Sequence, residues 1–357
     1  MDWEVLGFAG GCAAFLGLAV LGTLQFSWLS FPSPLSLAIY FLGTALVVGG
    51  YFLGKRVKVP PLPLLWGVLL LVVLSLYLYP LYGARGLVAA FFLIAALVAV
   101  VEGLPGKELF TIGAAGMLVN FYFSGVPLLE PASRGGYTSL GAVSLVLLLL
   151  GINQLAQGDD RKFKLFFAAG LALAVLTAYR SVVVLVALTP LITRNHVRKI
   201  EPRKWAIIGA SLALVVLLVG QINAFEGEEN PLLLVTRRAG FTYERFDQIV
   251  NTLTPHPGLW FEGEPRYVIG QLTLGEHKII NAGLYGFMWL DGGVVELVLG
   301  SILAGFGLGH FRRNREMIAP FYSMIIIYFL LSIEAGFDLV YLVGFLGALF
   351  AIGWKTQ

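Results

Sequence analysis

The sequence is poor in cysteine and in charge. Cys12 is the single cysteine, so the chain can form no internal disulfide and no cysteine-based metal site. Lys, Arg, Asp and Glu together make 13% of its 357 residues, roughly half of what a soluble domain carries. The signatures of a serine-hydrolase elbow (GxSxG), a zinc protease (HExxH), a phosphate-binding P-loop and a dithiol pair (CxxC) are all missing. No basic segment precedes the first apolar run, which follows Asp2 and Glu4. That run therefore reads as a retained span and not as a cleaved signal.

Most of the remainder is apolar, at 58%, in runs that approach the ~20 residues needed to cross a bilayer. The pattern predicts an all-α polytopic membrane protein, one integral domain over residues 1–357. Its twelve expected spans lie near 5–26, 35–54, 62–81, 86–101, 109–125, 138–157, 165–179, 181–193, 205–223, 284–309, 318–333 and 339–353. Short basic linkers fall after alternate spans: Lys55 to Lys58, Lys107, Arg161 to Lys164, Arg194 to Lys204, Arg312 to Arg315, and Lys355. Positive charge resists translocation, so these linkers mark the cytoplasm of a cell (plasma or inner) membrane and put both termini there. His196 and His310 fall in these linkers and are expected to be solvated. The net charge of +3 is spread over linkers, and no nucleic-acid partner is expected.

Residues 164–193 are either one long span or a hairpin. A single span would place one strongly basic linker on the wrong side, so a hairpin with Arg180 at its tip is expected. The arms are short: fifteen and thirteen residues at about 1.5 Å each reach only ~20 Å of a ~30 Å core. Arg180 is then recessed within the bundle. An arginine at such depth serves a polar substrate, snorkels to the headgroups, or pairs with Glu334 or Asp338.

One long polar stretch interrupts the apolar pattern, the external loop 224–283. It carries five basic residues, among them Arg237, Arg238, Arg245 and Arg266, and two of the four histidines. Pro231 opens an amphipathic helix to about Leu253, with Val235, Ala239, Phe246, Ile249, Val250 and Leu253 on its apolar face. Arg238 and Arg245 are seven residues apart and share another face, as do Arg237 and Glu244. Stacked guanidiniums form a fork for phosphate oxygens; the plain alternative is a solvated charge face. Thr254 to Gly258 (TPHPG) breaks the helix and holds His256 between two prolines. His256 is either a proton acceptor or an ordinary surface residue, with His277 second and Glu262 or Glu264 as the alternative base. Arg266, Trp260 and Tyr267 are the substrate-binding candidates, the rings stacking on sugars or anchoring the loop together with Phe261. Glu226 to Glu229 reads as a solvated run, and no divalent-metal site and no cofactor are expected. Asp291 to Gly293 either lines a cavity or bends its helix.

With its many spans, recessed basic tip and large loop, this plan resembles the Wzy-type O-antigen and oligosaccharide repeat-unit polymerases, and it is shared by the O-antigen ligases. The local likeness lies in Thr177–Ser181 (TAYRS) and Ala282–Gly300 (AGLYGFMWLDGGVVELVLG), within roughly residues 165–310. The resemblance implies a metal-independent, inverting glycosyl transfer from a polyprenyl- or dolichyl-diphosphate-linked oligosaccharide. Arginines (Arg180, Arg237, Arg238, Arg245) would hold the departing diphosphate, and His256 or Glu262 would take the acceptor proton. Ligase-like transfer is the alternative enzyme. A lipid-linked glycan transporter or flippase would favour charges inside spans and internal repeats. A metal-dependent oligosaccharyltransferase is disfavoured, since residues 27–33 (SWLSFPS) hold no carboxylate.

Overall fold

The computed structural model describes residues 2–60, 63–82, 90, 94, 98, 102–130, 139–158, 160–201, 203–204, 207–212, 214, 231–259, 265–276, 278, 280–336 and 339–356. The described regular structure is helical throughout: α1 Trp3–Gln25, α2 Pro34–Arg56, α3 Pro63–Tyr82, α4 Gly106–Ser124, α5 Ser139–Ala156, α6 Asp160–Leu176, α7 Arg180–Val197, α8 Pro231–Thr252, α9 Pro265–Leu274, α10 Gly283–Arg313, α11 Ala319–Ala335 and α12 Leu339–Lys355. Among the described residues, α1, α2 and α10 are long and apolar enough to cross a membrane, and Val143–Ala156, Ala319–Ala335 and Leu346–Lys355 are shorter apolar helices. Of the expected spans, 86–101 is described only at residues 90, 94 and 98, and 205–223 only at 207–212 and 214.

Helix ends bearing basic residues converge at one end of the bundle. Lys55 pairs with Asp2 at 2.6 Å and Arg312 with Glu4 at 3.2 Å. Tyr322 Oη donates to Glu4 at 2.6 Å, and the His196 ring lies 5.5 Å from that of Tyr322. Arg194 and Arg198 both pair with Asp160, which closes α6 and α7 into an antiparallel hairpin at its base. Lys55 holds the Asp2 carboxyl below its ordinary range. His310 departs from the expected solvated state. It is 3% exposed and stacks on Phe306 at 6.3 Å. Close packing of α10 on α2 carries its ring inside.

That packing is a parallel pair built on glycine. Gly50 and Gly54 of α2 face the carbonyls of Ile302 and Phe306, while Gly305 and Gly309 of α10 face those of Val47 and Tyr51. A Cβ at any of the four would collide with the opposing backbone. In lipid, where apolar side chains gain little by leaving their surroundings, small residues that let backbones touch drive helix pairing.

α8 is sunk into the bundle and does not lie across its surface. Gly240 packs on Ala19 and Gly22, and Gly22 in turn on the Thr236 carbonyl. Ala19 is six residues before the end of α1, a depth of ~9 Å at 1.5 Å per residue. The expected apolar face is buried at Ala239, Phe246, Ile249 and Val250, and half-buried at Val235 and Leu253. The acidic face caps the next helix: Asp247 accepts from Ser33 N at 2.9 Å and from Ser36 Oγ at 2.6 Å, at the start of α2. Glu244 accepts from Ser30 N at 3.2 Å. The loop also has a small core of its own, Ile249, Leu259, Ile269, Ile280, Ala282, Phe287 and Leu290, which ties α8 and α9 to the start of α10.

Candidate functional site

The tip between α6 and α7 is a turn of three residues, Thr177 to Tyr179. Thr177 Oγ1 donates to Ala174 O at 2.6 Å and accepts from Tyr179 N at 3.3 Å. Ala178, 2% exposed, takes φ 55°, a left-handed conformation that costs a non-glycine residue roughly 1–2 kcal/mol. Such conformations persist where the surroundings fix them and gather at functional sites. The turn delivers Arg180, half-buried, as the first residue of α7.

Two further charged groups meet it there. From α8, Arg238 Nε forms an ion pair with Glu334 at the end of α11. Arg180 lies within electrostatic reach of both Arg238 and Glu334. Three elements far apart in sequence thus bring two guanidiniums and one carboxylate to the loop end of the bundle. The Arg238 and Glu334 side chains are 49% and 39% exposed, so their pairing contributes only about 0–1 kcal/mol to the fold. Together these three groups carry one net positive charge, with planar donors suited to phosphate oxygens.

The expected ladder of Arg238 and Arg245 does not form a single fork. Seven residues keep both on one face but separate them by ~10 Å along the axis. α9 also packs near the second: Gln248, bonded to Arg245 at 2.8 Å, donates to Thr273 O at 3.1 Å. Arg245 pairs with Glu244 at 2.5 Å, covers the Phe241 ring at 4.9 Å and is 12% exposed. Arg237 lies over Trp28 at 5.7 Å, toward the α1–α2 connection. Arg237 and Glu244 share a face as expected, but that face is docked and not solvated.

His256 belongs to a second set of contacts, at a kink in α10. Its backbone N–H donates to Leu290 O at 2.5 Å. Gly258 N and Leu259 N both donate to Asp291 Oδ1 at 2.8 Å. Gly292 and Gly293 leave helical geometry there, with Gly293 at φ 60° and ψ −141°, a conformation open to glycine. A Cβ at Gly293 would press on the Pro255 ring at 3.2 Å. Asp291 therefore marks the bend, as one of its two expected readings had it, and also fixes the His256 turn, which neither reading contained. The signal for it was present: a carboxylate beside two glycines, and a loop whose Gly258 N–H needs an acceptor. Arg266 and Tyr267 lie half-buried on α9, where Arg266 O accepts from Ile280 N at 3.1 Å. Glu262, Trp260, Phe261, Glu264, His277, Asp338 and Glu226 to Glu229 lie outside the described residues.

A family model described as "Putative O-antigen polymerase" matches residues 20–346. The chain belongs to this family. No curated protein and no solved structure matches it. As an O-antigen polymerase it is a multi-pass membrane protein of polysaccharide synthesis, of glycosyltransferase-like activity, and works on lipid-linked oligosaccharide. Arg180, Arg238, His256, Asp291 and Glu334 all fall inside the matched stretch of this polymerase.

The Asp291 contacts carry a prediction. Asp291→Asn keeps a carbonyl oxygen for the two N–H groups and should leave most of the activity. Asp291→Ala leaves both donors without that acceptor, at about 1–3 kcal/mol each where they are shielded from water. It should lower polymerisation roughly tenfold or more and expose the 253–259 turn to proteolysis. Equal activity of the two variants would refute the anchoring role.

Proposed function

We propose that this O-antigen polymerase extends a glycan on the external face of the cell membrane, with both termini cytoplasmic. It would transfer one polyprenyl- or dolichyl-diphosphate-linked oligosaccharide to a second. The acceptor hydroxyl attacks the anomeric carbon of the donor from the side opposite the diphosphate. The carbon–oxygen bond to phosphate breaks, its electron pair stays on the phosphate oxygen, and the configuration inverts. His256 or Glu262 takes the hydroxyl proton. Arg180 and Arg238 stabilise the charge that grows on the leaving diphosphate, which is where fixed donors lower a barrier most. Arg266, Trp260 and Tyr267 contact the glycan; Arg237 and Arg245 shape the helix that presents Arg238.

The observation that carries this reading is that Arg180, at the α6–α7 tip, lies within electrostatic reach of Arg238 and of its ion-pair partner Glu334. A diphosphate anchored by a membrane-embedded lipid arrives at the depth of a recessed helix tip. Charge stabilisation by guanidinium needs no divalent ion, so the reaction is proposed to be metal-independent. Transport alone would not call for two arginines brought together at the loop end of the bundle.

The test is incubation of the purified protein in bilayer discs with lipid-diphosphate-linked repeat units, with products resolved by size. A ladder should form and persist in saturating EDTA. Loss in EDTA with rescue by magnesium or manganese would overturn the metal-independent mechanism. Movement of intact lipid-linked glycan with no new glycosidic bond would establish the transporter alternative instead.

A further inference from the structure

We propose that Glu334 is the resident counter-anion of the arginine pair: the incoming diphosphate displaces it from Arg238, and it re-pairs with Arg238 as the lipid diphosphate leaves. The inference rests on the diphosphate assignment above and gives that site a release mechanism. A bound donor carries a doubly charged diphosphate diester. Cleavage of its glycosidic bond adds charge to the same phosphates. A pair of fixed guanidiniums that favours the transition state therefore binds the product more tightly still, and release becomes the slow step. A carboxylate within the cluster opposes this by competing for the same donors.

The geometry fits a displaceable partner. Arg238 and Glu334 are both more than a third exposed, so water or a phosphate can reach the pair. The backbone that carries Glu334 is fixed independently of the ion pair. Ile333 before it is buried, and Gly336 beyond it ends α11 at φ +84°, with the Phe287 ring filling its side-chain position. The carboxylate can let go of Arg238 without the helix end moving. Arg245 shows the contrasting arrangement. Its pair with Glu244 is nearly enclosed and tied into α9 through Gln248, as a structural contact would be.

The experiment measures binding of a short-chain polyprenyl diphosphate, and of the matching monophosphate, to the protein in bilayer discs, together with turnover. Glu334→Gln is isosteric and uncharged. It should tighten diphosphate binding about threefold to tenfold and monophosphate binding less. It should also lower KM for the donor, lower kcat, and sharpen inhibition by added product. In an Arg238→Ala background the same substitution should lose its effect on diphosphate affinity. Unchanged or weaker diphosphate binding by Glu334→Gln would overturn the proposal, as would a gain that survives without Arg238. Failure of the underlying reading looks different: Arg180→Ala and Arg238→Ala, with Glu334 intact, would then bind the diphosphate as wild type does.

Discussion

Arg180→Lys is expected to cut polymerisation by ~10²-fold or more while the protein inserts and elutes as wild type does. The charge is kept, so a role limited to long-range attraction of the anionic substrate would survive the change. What lysine loses is the planar fork, which holds two phosphate oxygens at once. Removing one fixed donor from developing charge costs an enzyme ~10²–10³ in kcat. The fold at the tip should tolerate the exchange, because the turn is closed by Thr177 and the buried Ala178 and not by the guanidinium. The loss should appear in kcat with less change in KM, as for a contact strongest in the transition state. Arg238→Ala should lie in the same direction. Arg245→Ala should instead lower thermal stability, since it leaves the Glu244 carboxylate, 13% exposed, without its cation and with the Ser30 N–H as its remaining contact. Wild-type kcat for Arg180→Lys and Arg238→Ala together would place the diphosphate elsewhere.

The contrast between these arginines shows where the sequence is informative. Arg180 was legible because two basic flanks leave a short apolar stretch only one arrangement that keeps both on the same side. The α8 helix was legible because its apolar residues, from Val235 to Leu253, recur with helical period over about five turns, and Ala239, Phe246, Ile249 and Val250 among them are buried. Partner choice was not legible. Arg238 and Arg245 share a face by period, yet one meets Glu334 across 96 residues and the other its own neighbour. α11 supplies the partner of the first, and α9 packs beside the second through Gln248 and Thr273. α9 itself gave no clear signal, since its buried residues are Pro265, Ile269, Gly270 and Thr273, of which Ile269 alone is strongly apolar. The docked acidic face is another case. Residues 27–33 contain no carboxylate, but Glu244 and Asp247 are brought to that connection from α8 and are bonded there to backbone N–H and serine hydroxyl groups.

The glycine pair of α2 and α10 carries the largest expected effect on stability. Gly305→Leu should leave little folded protein, because its Cβ would overlap the Val47 carbonyl and no rotamer relieves a clash with backbone. Overpacking a tight contact costs ~3 kcal/mol, and here the parallel helices must separate along their shared length. Gly49→Leu is the matched control: it lies on α2 beside Gly50, but no atom stands within 4 Å of its side-chain position, so it should be accepted. Thermal unfolding in detergent, followed by size-exclusion, reads both variants. Wild-type behaviour of Gly305→Leu would refute the close approach. The contact also reaches the site. α2 is capped at its start by Asp247 of α8, and Thr44 of α2 bonds Tyr285 of α10 at 3.0 Å, two turns before the kink that holds the His256 turn. The same two helices thus fix α8, which presents Arg238, and the bend at Asp291. The milder Gly305→Ala should therefore lose activity at temperatures where the protein is still folded, because a shift of α10 against α2 moves the two parts of the site relative to each other.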